Sequence, residues 1–188
     1  QRIDQHAREF RHEDLAEGVG QPDQQRAEEG AADRADAADD HDDERYDEHA
    51  LADAGILCWV IKFTFDFWRP VTAITQAEEP STPAAESWTP LLETPPFPAY
   101  ISGHSTFSGA AASVLAQSFG TDKIRFAVGS DDVPGATRKF DSLWTAAEEA
   151  GMSRIYGGIH WQFDNREGLN VGQRLGEYVY RSALLPRR

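Results

Sequence analysis

Three cationic side chains stand in otherwise apolar stretches of the chain. Lys62 follows Ile56-Leu57-Cys58-Trp59-Val60-Ile61 and precedes Phe63, Arg69 lies between Trp68 and Pro70, and Arg154 follows Ser153. A charge in such surroundings is costly unless something of opposite sign neutralises it. Lys62 and Arg69 are seven residues apart, two turns of a helix, so they are expected to project from one face. Asp66 is the only acidic residue near enough in sequence to serve both. Either these side chains snorkel to water or reach distant carboxylates, or they are kept for an anion.

Two further elements fit the second reading. Ser102-Gly103-His104-Ser105 opens a stretch of small residues that reads as a helix. A helix N-terminus presents free N–H groups and the positive end of the dipole. Gly103 lets an anion approach the backbone, and Ser102 adds a hydroxyl; the plain alternative is an ordinary N-cap. Further on, Ser153-Arg154 is followed by His160 and Asp164. His160 and Asp164 are i and i+4 on a helix, so the carboxylate can hold one imidazole nitrogen and leave the other free as nucleophile or metal ligand. The plain alternative there is a surface contact.

Taken together, Lys62-x6-Arg69-Pro70, Ile101-Ser102-Gly103-His104 and Ser153-Arg154-x5-His160-x3-Asp164 resemble the signature of the vanadium-dependent haloperoxidase and type 2 phosphatidic acid phosphatase superfamily. The one departure is Ile101, where the family usually has Pro. Asp53-Ala54-Gly55-Ile56, Phe67-Trp68-Arg69-Pro70 and Pro95-Pro96-Phe97-Pro98-Ala99-Tyr100 look most like the chloroperoxidase-type branch. The likeness covers about Leu51 to Tyr180.

The resemblance implies an all-α helical bundle, of which this chain holds only the catalytic part. It implies vanadate as cofactor, bonded axially by His160 and neutralised by Lys62, Arg69 and Arg154 with Ser102 and the Gly103 N–H. His104 would be the acid–base group, Asp164 would orient His160, and Lys62 would polarise bound peroxide. Trp59 and Phe97 match positions beside the halide, although both would also serve as core aromatics. The partners implied are hydrogen peroxide, a halide and a small organic substrate. The alternative is an acid phosphatase that needs no cofactor, in which His160 attacks a phosphomonoester to give a phosphohistidine and His104 protonates the leaving alcohol. Vanadate and phosphate share charge and shape, so the ligand set does not separate them; an apolar rim favours halide and a wide polar mouth favours phosphoesters. A third reading is an oxyanion-binding module without catalysis.

The elements that must position these residues are helical. Ile56, Trp59, Val60, Phe63 and Phe67 recur at helical spacing, which predicts a helix over 51–68. Six prolines between Pro80 and Pro98 mark a connection. A helix follows through Ser108 to Ser118, ended by Gly120, and then a turn-rich stretch, Ile124 to Pro134. Phe140 to Ala150 reads as helix with Gly151 as its stop. The last helix is expected from about His160 to Ser182, with Gly168, Gly172 and Gly176 on one face for close helix contact.

The first 50 residues are different in kind. They hold roughly three quarters of the net charge of −14 and few aliphatic residues, too little apolar surface to offset the entropy of ordering. They read as an acidic low-complexity segment, disordered or loosely helical, ahead of a catalytic domain over 51–188. Such a composition is also what GC-rich DNA read out of frame gives. No run approaches the roughly 18 apolar residues of a membrane span, and basic residues are not clustered, so neither membrane nor nucleic acid is expected as partner. The single cysteine, Cys58, is expected to be a buried core thiol. A soluble protein is expected, with export and homodimer formation both left open.

Overall fold

The structure, a computed structural model, describes residues 40–77, 82–130 and 133–182, with side chains from Glu48 onward. Most of the acidic segment therefore lies outside the described residues. Five helices and one hairpin make up the rest, in the order α1 (Asp40–Phe65), α2 (Pro70–Thr75), α3 (Gly103–Ser118), β1 (Phe126–Gly129), β2 (Thr137–Phe140), α4 (Leu143–Tyr156) and α5 (Gln162–Ser182). The expected all-α bundle holds, with a two-stranded antiparallel hairpin added where the sequence offers only a turn-rich stretch. Its register pairs Phe126 with Phe140.

Helix α1 begins well before Leu51 and buries an unexpected face. Ala50, Ala54, Cys58 and Lys62, spaced by four, are all fully buried. Small side chains let α1 lie close to α3: a Cβ on Gly55 would touch the Phe107 ring at 3.4 Å. The bulkier apolar residues face outward, Ile56 at 67% exposure, Val60 at 59% and Phe63 at 63%.

The helix ends at Phe65, where Asp66 takes φ +44° and its N–H closes on the Lys62 carbonyl at 2.9 Å. Asp is one of the few residues that adopts this left-handed conformation readily. Arg69 is therefore not on α1. It is the extended N-cap of α2, with Pro70 in the first turn, where the missing N–H of proline costs nothing. The expectation that one helical face carries both Lys62 and Arg69 fails for this reason.

Helices α3 and α5 form the centre of the bundle. Their contact is set by the predicted glycine face: a Cβ on Gly168 would stand 2.8 Å from the Ser102 carbonyl, and one on Gly176 2.6 Å from that of Ala110. Gly172 meets the Thr106 carbonyl and the Ala110 nitrogen in the same way. Ala50, Ala54, Ala110, Val114 and Val179 form the core, with Phe107 and Leu175 packed on it.

Helix α4 runs through Gly151 rather than stopping there. A side chain at Gly151 would collide with Asn165 and lie 2.9 Å from the Ser105 hydroxyl. The glycine thus serves packing against α3 and α5, and the sequence signal of a helix stop is misleading. No described helix is long and apolar enough to cross a membrane.

Candidate active site

The three motifs meet at one end of α3. Ser102 has extended backbone (φ −67°, ψ 120°) and its hydroxyl accepts from the Ser105 N–H, which starts α3 at Gly103 as predicted. The Ser102 N–H donates to the Asp164 carbonyl at 3.1 Å. The first turns of α3 and α5 are therefore tied together, and His104 and His160 are carried to the same cavity.

That cavity has a volume of about 530 Å³, and Arg69, Gly103, His104, Arg154 and His160 line it. Trp59 and Phe97 form part of its wall, their ring centroids 5.3 Å apart. Leu92, Pro95, Phe107 and Ile159 make most of the remaining wall apolar, with Glu93 also on the lining. Of the predicted site residues, only Lys62, Ser102 and Asp164 stand behind the lining rather than on it. All three are fully buried.

The tautomer of His160 follows from its neighbours. Its Nδ1 lies 2.9 Å from Asp164 Oδ2, and its Nε2 lies 2.9 Å from Arg69 Nη1. A guanidinium only donates, so Nε2 carries the lone pair and Nδ1–H donates to the carboxylate. Burial is the largest influence on His160 and lowers its pKa; the Asp164 hydrogen bond opposes this, and Arg69 and Lys62 add to it. The ring is thus kept neutral, and the Nε2 lone pair accepts from Arg69. Asp164 Oδ2 also accepts from the Trp161 N–H at 3.0 Å, which fixes the carboxylate in turn.

The buried cations are held by carbonyls. Lys62 Nζ donates to Pro98 O at 2.9 Å and Ala99 O at 3.0 Å. Arg69 donates from Nε to Phe97 O at 2.9 Å and from Nη1 to Ile159 O at 2.8 Å. Both cations also lie over the Phe97 ring, Nζ at 5.3 Å and the guanidinium carbon at 5.1 Å from its centroid. Snorkelling of Lys62 is excluded by its complete burial, which lowers its pKa to about 8; Cys58 and Asp164 oppose this and Arg69 adds to it. Cys58 is buried, as predicted, and its thiol is pushed up by that burial. His104 stays open to solvent at the cavity, yet desolvation of its ring, and then the Arg154 charge, lower its pKa. Arg154 Nε donates to the Ser153 hydroxyl at 3.0 Å.

Sequence reasoning missed the carbonyl set of residues 97–99. A signal was present in Pro95, Pro96 and Pro98, which fix φ and remove N–H donors, so that this segment offers acceptors. It also missed Asn165, buried beside Asp164, whose Oδ1 accepts from the Ser105 hydroxyl at 2.8 Å.

Residues 46–186 match the family described as the VCPO second helical-bundle domain. The chain belongs to that family. It is 32% identical over 161 residues to the vanadium chloroperoxidase of Curvularia inaequalis, an alignment covering 61% of this chain and 26% of that enzyme. A solved bacterial vanadium-dependent iodoperoxidase is 42% identical with a TM-score of 0.65, covering 72% of this chain and 32% of its own. A bacterial vanadium-dependent chloroperoxidase in its holo form, at 22% identity and TM-score 0.61, shares the fold over 72% of this chain and 34% of its own. The chain thus spans between a quarter and about a third of the length of these relatives.

The residues present suit a vanadate ion. Arg69 Nη2 is buried and has no hydrogen-bond partner among the described residues, and a guanidinium donor left in this way is satisfied by an oxyanion. Beside it stand Arg154, the Gly103 backbone, the His104 ring and the His160 lone pair.

Proposed function

We propose that this chain carries the vanadate-binding centre of a haloperoxidase, in which a halide and hydrogen peroxide, with one proton, give hypohalous acid and water. The observation that carries this reading is the His160 tautomer: Asp164 holds Nδ1–H, so that the Nε2 lone pair stands beside Arg69 in a cavity shared with Arg154 and His104. His160 would hold vanadium through Nε2, and Arg69, Arg154 and the Gly103 N–H would hold its oxygens. Lys62 and the Ser102 hydroxyl, both behind the lining, would add a positive charge and a hydroxyl to the set. Bound vanadate would supply the Lewis acidity that makes peroxide oxygen electrophilic.

The remaining work falls to the protein. His104, with a lowered pKa, is neutral near pH 7 and can take a proton from peroxide and return it to the departing oxygen. Fixed cations and N–H donors stabilise charge on oxygen without reorganising. Trp59, Phe97 and the other apolar lining residues suit a weakly hydrated halide better than a polar phosphoester, which favours the haloperoxidase reading over the phosphatase one.

The test is bromination of a phenol dye with peroxide, bromide and added vanadate, set beside phosphate release from an aryl phosphate without vanadate. The expected outcome is vanadate-dependent bromination that His160→Ala abolishes. Phosphate release without bromination would replace this reading with the acid phosphatase one. Bromination that survives in His160→Ala would exclude His160 as the centre.

A further inference from the structure

A second cavity, of about 460 Å³, lies between α3, α4 and the hairpin. Its walls are apolar: Ala111 and Leu115 from α3, Phe126 and Phe140 from the hairpin, Leu143 and Ala146 from α4. Phe126 and Phe140 are register partners whose centroids are 5.4 Å apart and tilted by 35°. The polar groups are few. Arg138 and Glu149, paired through Nε and Oε1 at 2.8 Å, and the Ser108 and Ser153 residues stand on the lining. A volume in the range of about 300–1,000 Å³, apolar walls and a small number of polar groups are the features of a small-molecule site.

Its position relative to the reactive cavity gives it a purpose. His104 lines the first cavity, Ser108 lines both, and Ala111, Ala112 and Leu115 line the second. These residues recur at the spacing of a single face of α3. At 1.5 Å of rise per residue, the shared Ser108 is about 6 Å along the axis from His104 and Leu115 about 16 Å. Likewise Arg154 lines one cavity and its neighbour Ser153 the other. The two spaces are therefore adjacent, about one helical turn from the acid–base imidazole.

We propose that this second cavity binds a small, electron-rich aromatic molecule and presents it as halogen acceptor to hypohalous acid formed in the first. The aromatic pair offers edge and face contacts to a planar ring, and the Arg138–Glu149 pair offers a donor or acceptor to a phenolic hydroxyl. In the transfer, a π pair of the ring forms the carbon–halogen bond as the halogen–oxygen bond breaks. The departing hydroxide takes the proton lost from that carbon and leaves as water. The acceptor role rests on the haloperoxidase reading above; the binding does not.

The experiment is calorimetric titration of naphthol into the chain without vanadate, peroxide or halide, repeated on Ala111→Phe and Ala146→Leu. These fill the cavity from opposite walls at half-buried positions, so a misfolding of one variant, detected by circular dichroism, leaves the other. Binding that weakens by about tenfold or more in a folded variant is the expected result. It should be accompanied by slower naphthol bromination and unchanged bromination of a freely diffusing cyclic diketone. Naphthol that fails to bind, or binds equally to the filled variants, overturns the site whatever the enzyme activity. Binding lost in the variants, with no bromination of any substrate by the wild type, overturns the acceptor role through the failure of the haloperoxidase reading.

Discussion

Lys62 is completely buried, and its ammonium is held by two carbonyl oxygens with no carboxylate in contact among the described residues. Its pKa falls from 10.5 to about 8 for want of water. At about 1.4 kcal/mol per unit, keeping this group charged costs the folded protein about 3 kcal/mol. The sign of the pH dependence follows. Between about pH 8 and 10.5 the unfolded chain binds the Lys62 proton and the folded chain does not, so stability rises with pH in that window. Burial of the Cys58 thiol acts oppositely above its ordinary value of 9.0. The gain from Lys62 is therefore cleanest between pH 8 and 9.

A direct measurement avoids that overlap. The chain contains three lysines, Lys62, Lys123 and Lys139, so selectively labelled lysine should give three resolvable NMR titrations. One should have a midpoint near 8 and should vanish in Lys62→Met. An oxyanion bound in the adjacent cavity supplies the missing counter-charge, so inorganic phosphate or vanadate should raise that midpoint by a unit or so. Three ordinary titrations, or a low midpoint indifferent to both anions, would refute the claim that Lys62 belongs electrostatically to the site.

Three other outcomes are expected. Asp164→Asn keeps the shape of the carboxylate but removes the charge that holds His160 Nδ1–H, so vanadate affinity, read by titrating activity recovery, should fall by about 10–100-fold. Gly172→Ala forces a methyl against the Thr106 carbonyl and the Ala110 nitrogen, and should cost about 3 kcal/mol, lowering the melting temperature by roughly 10 °C. Ile56→Gln and Phe63→Gln alter side chains more than half exposed, and each should change unfolding free energy by less than about 0.5 kcal/mol in a denaturant titration; a larger loss would mean that this face is buried in solution.

What could be read from residues alone follows from the range of each interaction. The Ser102 cap, the His160–Asp164 pair and the glycine face of α5 are set within one or two helical turns, and all were legible. The hairpin was not, because its two strands acquire meaning only from pairing Phe126 with Phe140 across the turn. Gly151 was misread since a glycine that stops a helix and one that admits a neighbouring helix look alike in sequence. The spacing of the large apolar residues of α1 predicts a helix but does not say which face is buried. Close packing on α3 instead selects Ala50, Ala54 and Cys58, and leaves the larger residues outside a chain that spans a fraction of its relatives' length.

The way the cations are held would let the proposed site be both buried and receptive to an anion. A carboxylate partner for Lys62 or Arg69 would satisfy its hydrogen bonds and cancel its charge together. Carbonyl oxygens of Phe97, Pro98, Ala99 and Ile159 do only the first. The guanidinium and ammonium are thereby oriented with no carboxylate in contact with either among the described residues, and the positive field that Asp164 does not offset acts strongly in a low-dielectric setting. The one buried carboxylate among the described residues, Asp164, spends Oδ2 on His160 and the Trp161 N–H and acts on the cations only through space. The proline-rich segment is therefore part of the site: it supplies acceptors without charge. A nearby Asp or Glu in place of those contacts would cancel the charge on which anion binding depends, whatever its effect on the fold.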